Sequence, residues 1–477
     1  MGSGIDRVFW GRGRRMVVGV LLAVVFAVVG VVIMRLSHAA TPFISAEPEQ
    51  GTAAHGAAVV TDSSASGGKA LRFGSVAGGF VHPGIIVDQA GIDFVKAKIA
   101  ANQEPWKSEL AKTVNAKPGE GSNAGIPFSS ASYVPHPTEY ITCGNNKQGC
   151  LDETDDAQAA YTNALLWAYT GDRRYARQSI TILNAWSAKL KDHKMSTTDP
   201  ALIGGVLNAA WAGQIFPRAA EIMRYTYTPG AGEPALNVAN MERMLRDAFL
   251  PWVRTQWAGG GHNWVTSMAE ATINIGVFLS DREVFDDGIG DWRGNTPANI
   301  YMSGDVNPYA WGTGLPLPIP NTKFDKATMT AANFRSEAWW GATTFPSGMQ
   351  GETCRDLNHT AMGVAGMVNA AETARIQGID LYGEQKARIT TMLELETGFL
   401  NAVNGGTARP AGWPCPNNPV LNGGERVTYV MAYNHYAKRL GMSLPNTNAW
   451  ITTKIMPSSY RANNTSQYEP LTSWGTP

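Results

Sequence analysis

Residues 152–190 read DETDDAQAAYTNALLWAYTGDRRYARQSITILNAWSAKL, and this stretch decides the fold class. Its spacing of apolar residues predicts two helices joined as a hairpin. The acidic residues at its start favour a helix N-terminus, where they interact well with the helix dipole. Gly171 and Asp172 mark the turn between the two helices.

The same helical texture continues along most of the chain. Further helical runs are predicted at residues 90–114, 201–227, 241–257, 263–279, 283–292, 353–377, 383–401 and 426–440, and no sustained series of strands follows residue 85. We therefore expect a mainly α fold, an incomplete (α/α) toroid of helical hairpins with a short β or loop segment at the N-terminus. The periodicity alone would fit a plain bundle or a solenoid equally well.

The overall composition is that of a globular protein. The chain has 477 residues, of which 44% are hydrophobic and 16% charged, so it is long enough for one large domain or two ordinary ones. Its 39 basic and 39 acidic residues balance. Global charge therefore does not favour nucleic acid, and we expect no such partner.

The N-terminus carries a targeting segment. Arg7, Arg12, Arg14 and Arg15 precede an uncharged stretch, Met16–Met34, that is long enough to cross a bilayer as a helix. The sequence Ser37-His38-Ala39 also fits a signal-peptidase site, so a cleaved signal and a retained anchor both remain open. In either case we expect a secreted or cell-surface protein that contacts the membrane only through residues 1–40.

Residues 41–80 differ from the rest in being rich in Gly, Ser and Ala with short apolar stretches. They predict strands and turns, or a linker. The segments AEPEQG and VVTDSSASGGKALRFG resemble the opening of carbohydrate-binding β-sandwich modules over about 30 residues. We therefore divide the chain into residues 1–40, 41–80 and a helical domain at 81–477.

Export makes the four cysteines interpretable. Cys143 and Cys150 frame the short loop CGNNKQGC, which predicts a local disulfide in an oxidising compartment. Cys354 and Cys415 would then form the second pair. No CxxC motif or close Cys/His cluster indicates a zinc site, and we expect neither a metal nor another cofactor.

Several segments go beyond periodicity. They are FVHPGIIVDQAGIDF, YVPHPTEYITCGNNKQGC, GGGHNWVTSMAEATINIGVF, GETCRDLNHTAMGVAGMVNAAETARIQG and YVMAYNHYAKRLGMSLPNT. In kind and in order they resemble the alginate-lyase-like polysaccharide lyases of the (α/α) toroid class, over roughly residues 81–445. The resemblance implies β-elimination on a uronic-acid polymer such as alginate or glucuronan.

Elimination at a uronate requires three steps. The C6 carboxylate must be neutralised so that loss of the C5 proton gives a stabilised enolate-like intermediate. A base must take that proton, and an acid must protonate the leaving O4. Asn, His, Arg and Tyr side chains supply all three functions without a metal.

His262-Asn263-Trp264 follows three glycines at the start of a predicted helix. Glycines let the backbone approach a ligand closely, and a helix N-terminus favours an anion. Asn263 is therefore a candidate donor to the substrate carboxylate, although a helix cap would explain it too. His262 is a weaker candidate, because the alginate lyases arrange Asn and His differently relative to the Trp.

The segment ETCRDLNH, residues 352–359, holds the other candidates. If a helix begins near Thr353, Arg355 and His359 are four residues apart and share a face. Arg355 could bind the carboxylate, His359 could take the C5 proton, and Glu352 could orient either one. For Asp356 we favour a role in helix-start electrostatics.

The tyrosine of the family is not where the resemblance would put it. In the alginate lyases a catalytic Tyr lies seven residues after an Arg, but the position seven after Arg355 is Met362. Either His359 is the base or a Tyr comes from elsewhere. Tyr433, His435 and Tyr436 are the candidates, and we expect one of them to reach the cleft as the acid.

Trp264, Trp339, Trp340 and Tyr133 are candidates for stacking on sugars, although core packing would explain each of them. The expected partner is an acidic polysaccharide, bound by a monomer. Two alternatives remain open: a glycoside hydrolase on the same toroid, which needs paired carboxylates, and a non-catalytic polysaccharide-binding surface protein.

Overall fold

The computed structural model describes residues 57–61, 69–73, 79–144, 148–194, 204–254, 262–303, 305, 339–416, 427–459 and 468–477. The chain divides into two units, Met1–Gly78 and Gly79–Pro477. In the first unit, β1 (Ala57–Thr61) pairs antiparallel with β2 (Lys69–Phe73). The likeness of this unit to a carbohydrate-binding module stays a prediction.

The predicted targeting segment, including Met16–Met34, lies outside the described residues. Among the helices that the structure does describe, none has the length and apolar character needed to cross a bilayer.

The second unit is built from helices. They are α1 (Gln89–Ala100), α2 (Trp106–Val114), α3 (Cys150–Thr170), α4 (Arg173–Lys189), α5 (Gly205–Thr226), α6 (Val238–Met244), α7 (Leu250–Val253), α8 (Asn263–Phe278), α9 (Arg282–Asn299), α10 (Leu357–Ile376), α11 (Leu381–Glu384), α12 (Lys386–Asn404), α13 (Tyr429–Tyr433), α14 (Pro445–Trp450) and α15 (Glu469–Thr472). Short π-helical segments, Leu245–Phe249, Asn434–Arg439 and Ile451–Ile455, continue α6, α13 and α14.

Two short strand pairs complete the unit. β3 (Gly84–Ile85) pairs antiparallel with β4 (Val87–Asp88). β5 (Tyr140–Thr142) pairs in parallel with β6 (Asp192–Lys194), so the segments that follow α4 and precede α3 meet.

The hairpin predicted from residues 152–190 is confirmed as α3 and α4. Gly171 ends α3 with φ 71°, a left-handed conformation that glycine adopts without strain. Asp172 caps α4, because its side chain accepts a hydrogen bond from the Arg174 amide. Two residues thus reverse the chain.

Repetition of such hairpins produces the toroid. The helices α3, α5, α8, α10 and α13 pack side by side in series, and α4 and α9 pack against the helices that precede them. Each returning helix reverses the chain, so the inner helices run parallel. Their N-termini therefore lie at one end of the ring, and loops from distant parts of the sequence converge there.

The inner helices are buried along most of their length. Every residue of α8 is buried except Trp264, and α10 is buried except at Asn358, His359 and Arg375. Between α5 and α8, the buried side chains of Arg218 and Glu270 form an ion pair. The centre of the ring is thus filled, and the first turn of α10 is one of the places where it opens to solvent.

Both predicted disulfides are confirmed. Cys143 is joined to Cys150 at the start of α3, and Cys354 to Cys415 just before α10. Each bond ties a loop to the N-terminal end of an inner helix, the end at which the candidate site lies.

Candidate active site

The turn before α10 differs from the prediction. We expected a helix from about Thr353, but α10 begins at Leu357, and Asp356 is its N-cap. The Asp356 carboxylate accepts a hydrogen bond from the His359 amide at 2.7 Å, which satisfies a donor that the first helical turn leaves open. Arg355 therefore precedes the helix and shares no helical face with His359. We call residues 350–355 the catalytic turn.

Asp356 also holds the imidazole of His359. Its Oδ2 lies 2.6 Å from His359 Nδ1. Although burial opposes ionisation of Asp356, the hydrogen bonds from His359 keep its pKa below the ordinary value. The carboxylate thus fixes the proton of neutral His359 on Nδ1 and leaves the lone pair on Nε2. In the described part of the chain no hydrogen bond engages Nε2, and 29% of the side chain is exposed.

Glu352 bridges the other two candidates. Its Oε2 accepts from the Asn263 side-chain amide at 2.8 Å and from the Asn263 backbone amide at 3.2 Å. Its Oε1 accepts from Arg355 Nη1 at 2.9 Å. The anion at the start of α8, where we expected the substrate carboxylate, is therefore the protein's own Glu352, which is 1% exposed.

The bond to Glu352 determines how Asn263 is oriented. A carboxylate accepts and never donates, so the atom facing it must be the amide nitrogen. One N–H of that group remains for a ligand. The amide oxygen is buried and has no hydrogen-bond partner among the described residues. The Asn263 side chain thus has one N–H donor and one acceptor oxygen besides its hydrogen bond to Glu352.

His262 lies behind the catalytic turn. It is 6% exposed and has φ 55° and ψ −122°, a conformation rare for a residue with a side chain. Its Nδ1 lies 3.0 Å from Asn299 Oδ1, and Asn299 donates its own amide to Asn295, so Nδ1 is the donor. The ring packs on Gly351, where an added Cβ would come 2.2 Å from Nδ1.

Helix packing brings the two halves of the site together. Gly363 of α10 lies against α8, with the position of an added Cβ 3.7 Å from Asn263 Cα. His359 is four residues earlier and so lies on the same face, about 6 Å closer to the helix start. His359, Asn263, Glu352 and Arg355 therefore meet at one rim of the ring.

The family model described as "Alginate lyase" matches residues 101–307. This part of the chain is therefore similar to the alginate lyase family. The matched region includes His262 and Asn263 and ends before the catalytic turn. Comparison of the sequence with curated proteins finds no match.

Solved structures of alginate lyases are also similar to this chain. A histidine-to-alanine variant of alginate lyase A1-III complexed with a tetrasaccharide has a TM-score of 0.52 and 15% identity, over 82% of this chain and 97% of that one. The parent A1-III enzyme, from a Sphingomonas species, has a TM-score of 0.49 and 14% identity over 82% and 98%. An alginate lyase from Bacteroides ovatus has a TM-score of 0.48 and 11% identity over 82% and 100%. At this identity the first structure supports the (α/α) toroid fold alone.

Two predicted sugar-stacking residues make contacts within the protein. The Arg355 guanidinium lies 4.9 Å from the centre of the Trp340 ring, so Trp340 supports the cation. Trp339 is 5% exposed and packs with Phe345 beside the Cys354–Cys415 disulfide. Trp264 is half-buried against the core, and its role stays a prediction.

Tyr133 is also not a stacking residue. It is 2% exposed, and its hydroxyl donates to Asp156 at 2.9 Å. Asp156 accepts from Trp186 as well, so this group holds α3 against α4. The prediction was wrong because a buried tyrosine with a polar partner gives the same sequence signal as an exposed one.

The expected acid from Tyr433, His435 or Tyr436 is not found at the rim. Tyr436 is fully buried and donates to the Tyr382 carbonyl, and His435 stacks on the Tyr382 ring at 4.1 Å. This cluster surrounds Glu372, 13 residues beyond His359 on α10, which is about 20 Å along the helix axis. Tyr433 bonds to Asn448 at 2.8 Å and is 7% exposed.

Several residues of the site were missed from the sequence. Asp356 was interpreted only as a helix-start charge, whereas it also orients His359; the spacing Asp-x-x-His at a helix start would have indicated this. Asn299 and Gln350 had no such signal, because their partners are distant in sequence or act through the backbone. In the described residues, no group of three or more His, Cys, Asp or Glu side chains is arranged to hold a metal ion.

Proposed function

We propose that the protein is an exported polysaccharide lyase that cleaves a uronic-acid polymer by β-elimination, with alginate as the first substrate to test. One observation carries this proposal: an imidazole held by a carboxylate lies at the same rim as an amide and a guanidinium that share Glu352. The reaction requires donors that neutralise the carboxylate, a base, and an acid, and one imidazole can serve as both base and acid.

Arg355 and Asn263 neutralise the substrate carboxylate. Arg355 is 32% exposed and uses one nitrogen for Glu352, so its other N–H groups can bind a carboxylate. Asn263 adds the N–H that Glu352 does not use. Charge builds up on the C6 carboxylate as the C5 proton leaves, so donors fixed in advance stabilise the transition state more than the ground state.

His359 acts as both base and acid in a syn elimination. Its Nε2 takes the C5 proton, the C5–H electrons form the C4–C5 double bond, and the C4–O4 bond breaks. The imidazolium, stabilised by Asp356, then returns the proton to O4. One residue suffices because in a syn elimination both positions lie on the same side of the sugar.

The related structures and the carboxylates of the site support a lyase over a hydrolase. Alginate lyase A1-III was solved with a tetrasaccharide. Glu352 and Asp356 are both engaged by groups of the site itself. A hydrolase needs a pair of carboxyl groups that flank the glycosidic bond.

The test is a panel of alginate, glucuronan, hyaluronan and pectate, followed by ultraviolet absorbance. A lyase creates a conjugated double bond that absorbs, and hydrolysis of the polymer does not. Asn263→Ala should lower kcat by about 10²- to 10³-fold, the effect of losing one donor to a developing negative charge. Release of reducing ends without absorbance would indicate a hydrolase, and folded protein inactive on every polyuronate would contradict the proposal.

A further inference from the structure

Glu396 lies beneath the catalytic turn and has no part in the chemistry above. It belongs to α12, is fully buried, and reaches the turn with one oxygen. Its Oε1 lies 2.5 Å from Thr353 Oγ1 and accepts from the Gln350 amide at 3.1 Å. Burying a carboxyl group in this way is unfavourable unless its contacts compensate.

The contacts of Glu396 continue to the candidate catalytic residues. Gln350 Oε1 accepts from the Glu352 amide at 2.6 Å, and the Arg355 amide bonds to the Glu352 carbonyl at 2.8 Å. Glu352 in turn holds Asn263 and Arg355. Two intervening residues thus connect Glu396 to both groups that bind the substrate carboxylate.

Complete burial without a bonded cation favours the neutral form of Glu396. Its Oε1 accepts from the Thr353 hydroxyl at 2.5 Å and from the Gln350 amide at 3.1 Å, and a neutral carboxyl group can accept both bonds through its carbonyl oxygen. An ionised Glu396 would instead place a full negative charge in the interior, where no cation among the described residues bonds to it. Burial raises the pKa of Glu396 to about 7, despite the hydrogen bonds from Thr353 and Gln350.

No other charge in the described surroundings compensates Glu396. Glu352 and Arg355 of the turn pair with each other. Glu394, on the same helix, accepts from Asn446 and Thr447, and Glu384 of α11 pairs with Arg293. None of these groups bonds to Glu396, so its protonation depends mainly on burial and on the turn.

We propose that Glu396 is a positioning residue that holds the catalytic turn in its protonated form and loosens it on ionisation, which gives the enzyme a fall in activity towards alkaline pH. This inference rests on the proposed lyase function for its kinetic part. Its structural part, a turn fastened by a neutral carboxyl group, is measured without any substrate.

The experiment compares the wild type with Glu396→Gln, which stays neutral at every pH. In kinetics, kcat of the wild type should fall between about pH 6 and 8 with little change in KM, and the variant should lack this fall. Thr353→Val, which removes the relay hydroxyl, should lower kcat at all pH values. Glu394→Gln is the matched control on the same helix and should keep the wild-type profile.

Thermal unfolding tests the same inference independently of activity. The unfolded carboxyl group ionises near its ordinary pKa, while the folded one stays protonated to about pH 7. Stability from this group is therefore lost as pH rises from about 4.5 to 7. The Tm of Glu396→Gln relative to the wild type should rise between pH 5 and 8. Parallel Tm curves, or an alkaline fall retained in Glu396→Gln, would overturn the inference; an inactive wild type with the expected Tm curves would overturn only the proposed function.

Discussion

Helix α10 carries a cluster of polar residues near each end, and the two clusters contain similar residue types. The open cluster, at the N-terminus, comprises Asn263, Glu352, Arg355, Asp356 and His359. The closed cluster, towards the C-terminus, comprises Glu372, Arg375, Tyr382, His435, Tyr436 and Arg439. Each has a buried glutamate that binds arginine, and each also contains a histidine.

The clusters differ in how their histidines are held. His359 pairs with a carboxylate and is 29% exposed, whereas His435 stacks on Tyr382 and is 7% exposed. In the closed cluster Arg375 and Arg439 both bind Glu372, and Tyr436 donates to the Tyr382 backbone. Residue type therefore does not separate the proposed catalytic cluster from the structural one, whereas solvent access and the partner of the imidazole differ between them.

Replacing each histidine by alanine is the sharpest way to break this comparison. His359→Ala removes the base and should lower kcat by about 10²- to 10⁴-fold, the usual contribution of a general base. His435→Ala should leave kcat near that of the wild type and instead lower the Tm, because it removes a stacked buried ring. Steady-state kinetics and thermal melting of both variants test this. A comparable loss of turnover in the two variants would show that the closed cluster takes part in catalysis.

The acidic partners should separate in the same way with a smaller effect on rate. Asp356→Asn keeps an N-cap of similar quality but removes the charge that holds His359. A charge-assisted hydrogen bond contributes about 1.5–3 kcal/mol, so kcat should fall about 10- to 100-fold with little change in Tm.

Glu372→Gln is the matched substitution in the closed cluster. It leaves Arg375 and Arg439 without their buried partner, so the free energy of unfolding should fall by about 3–5 kcal/mol. The kcat of the protein that remains folded should be unchanged. For Asp356→Asn, a loss of stability with an unchanged kcat would mean that Asp356 acts only as the N-cap of α10.

How much the sequence could reveal depends on the range of the contacts. The hairpin at 152–190 was predictable because apolar periodicity and a Gly-Asp turn are local signals. The choice of a toroid over a bundle came from the resemblance, because helix periodicity does not specify ring closure. The disulfides were predictable because four cysteines in a chain expected to be exported leave few pairings.

The site was only partly predictable for the same reason. Asn263, Arg355 and His359 were singled out by their residue types, and their catalytic roles stay predictions, but the contact of the Glu352 side chain with Asn263 spans 89 residues of sequence. The start of α10 was misplaced because Thr353 to Arg355 look helical, and the capping ability of Asp356 prevails. Tyr133 and Tyr436 were misinterpreted because burial of a tyrosine leaves no local trace.

Gly351 offers a smaller perturbation, confined to the open cluster. An alanine there would place its Cβ 2.2 Å from His262 Nδ1, so the ring or the catalytic turn must move. A displacement of about 1 Å can lower a rate by up to about 10²-fold, and we expect about a tenfold fall in kcat for Gly351→Ala. Gly290→Ala is the control, because open space surrounds that position on α9 and alanine there should stabilise by up to about 1 kcal/mol. A Gly351→Ala variant with full activity would mean that His262 and the turn can shift without consequence.

The pH dependence of stability gives the smallest effect on turnover and the clearest measure of the closed cluster. Burial lowers the pKa of His435 to about 4, with Glu372 opposing the shift. The groups that face His435 are Glu372, Arg439, Asp380 and Arg375. As pH falls from about 6.5 to 4, the unfolded chain binds a proton that folded His435 does not, so this histidine lowers the free energy of unfolding over that window.

His435→Phe keeps a ring to stack on Tyr382 and cannot bind the proton. Urea unfolding at pH 7, 6 and 5 should therefore show the wild type losing stability relative to His435→Phe as pH falls. A constant difference would mean that His435 takes up its proton when folded, and the contrast between the two ends of α10 would then lie in their partners rather than in their access to water.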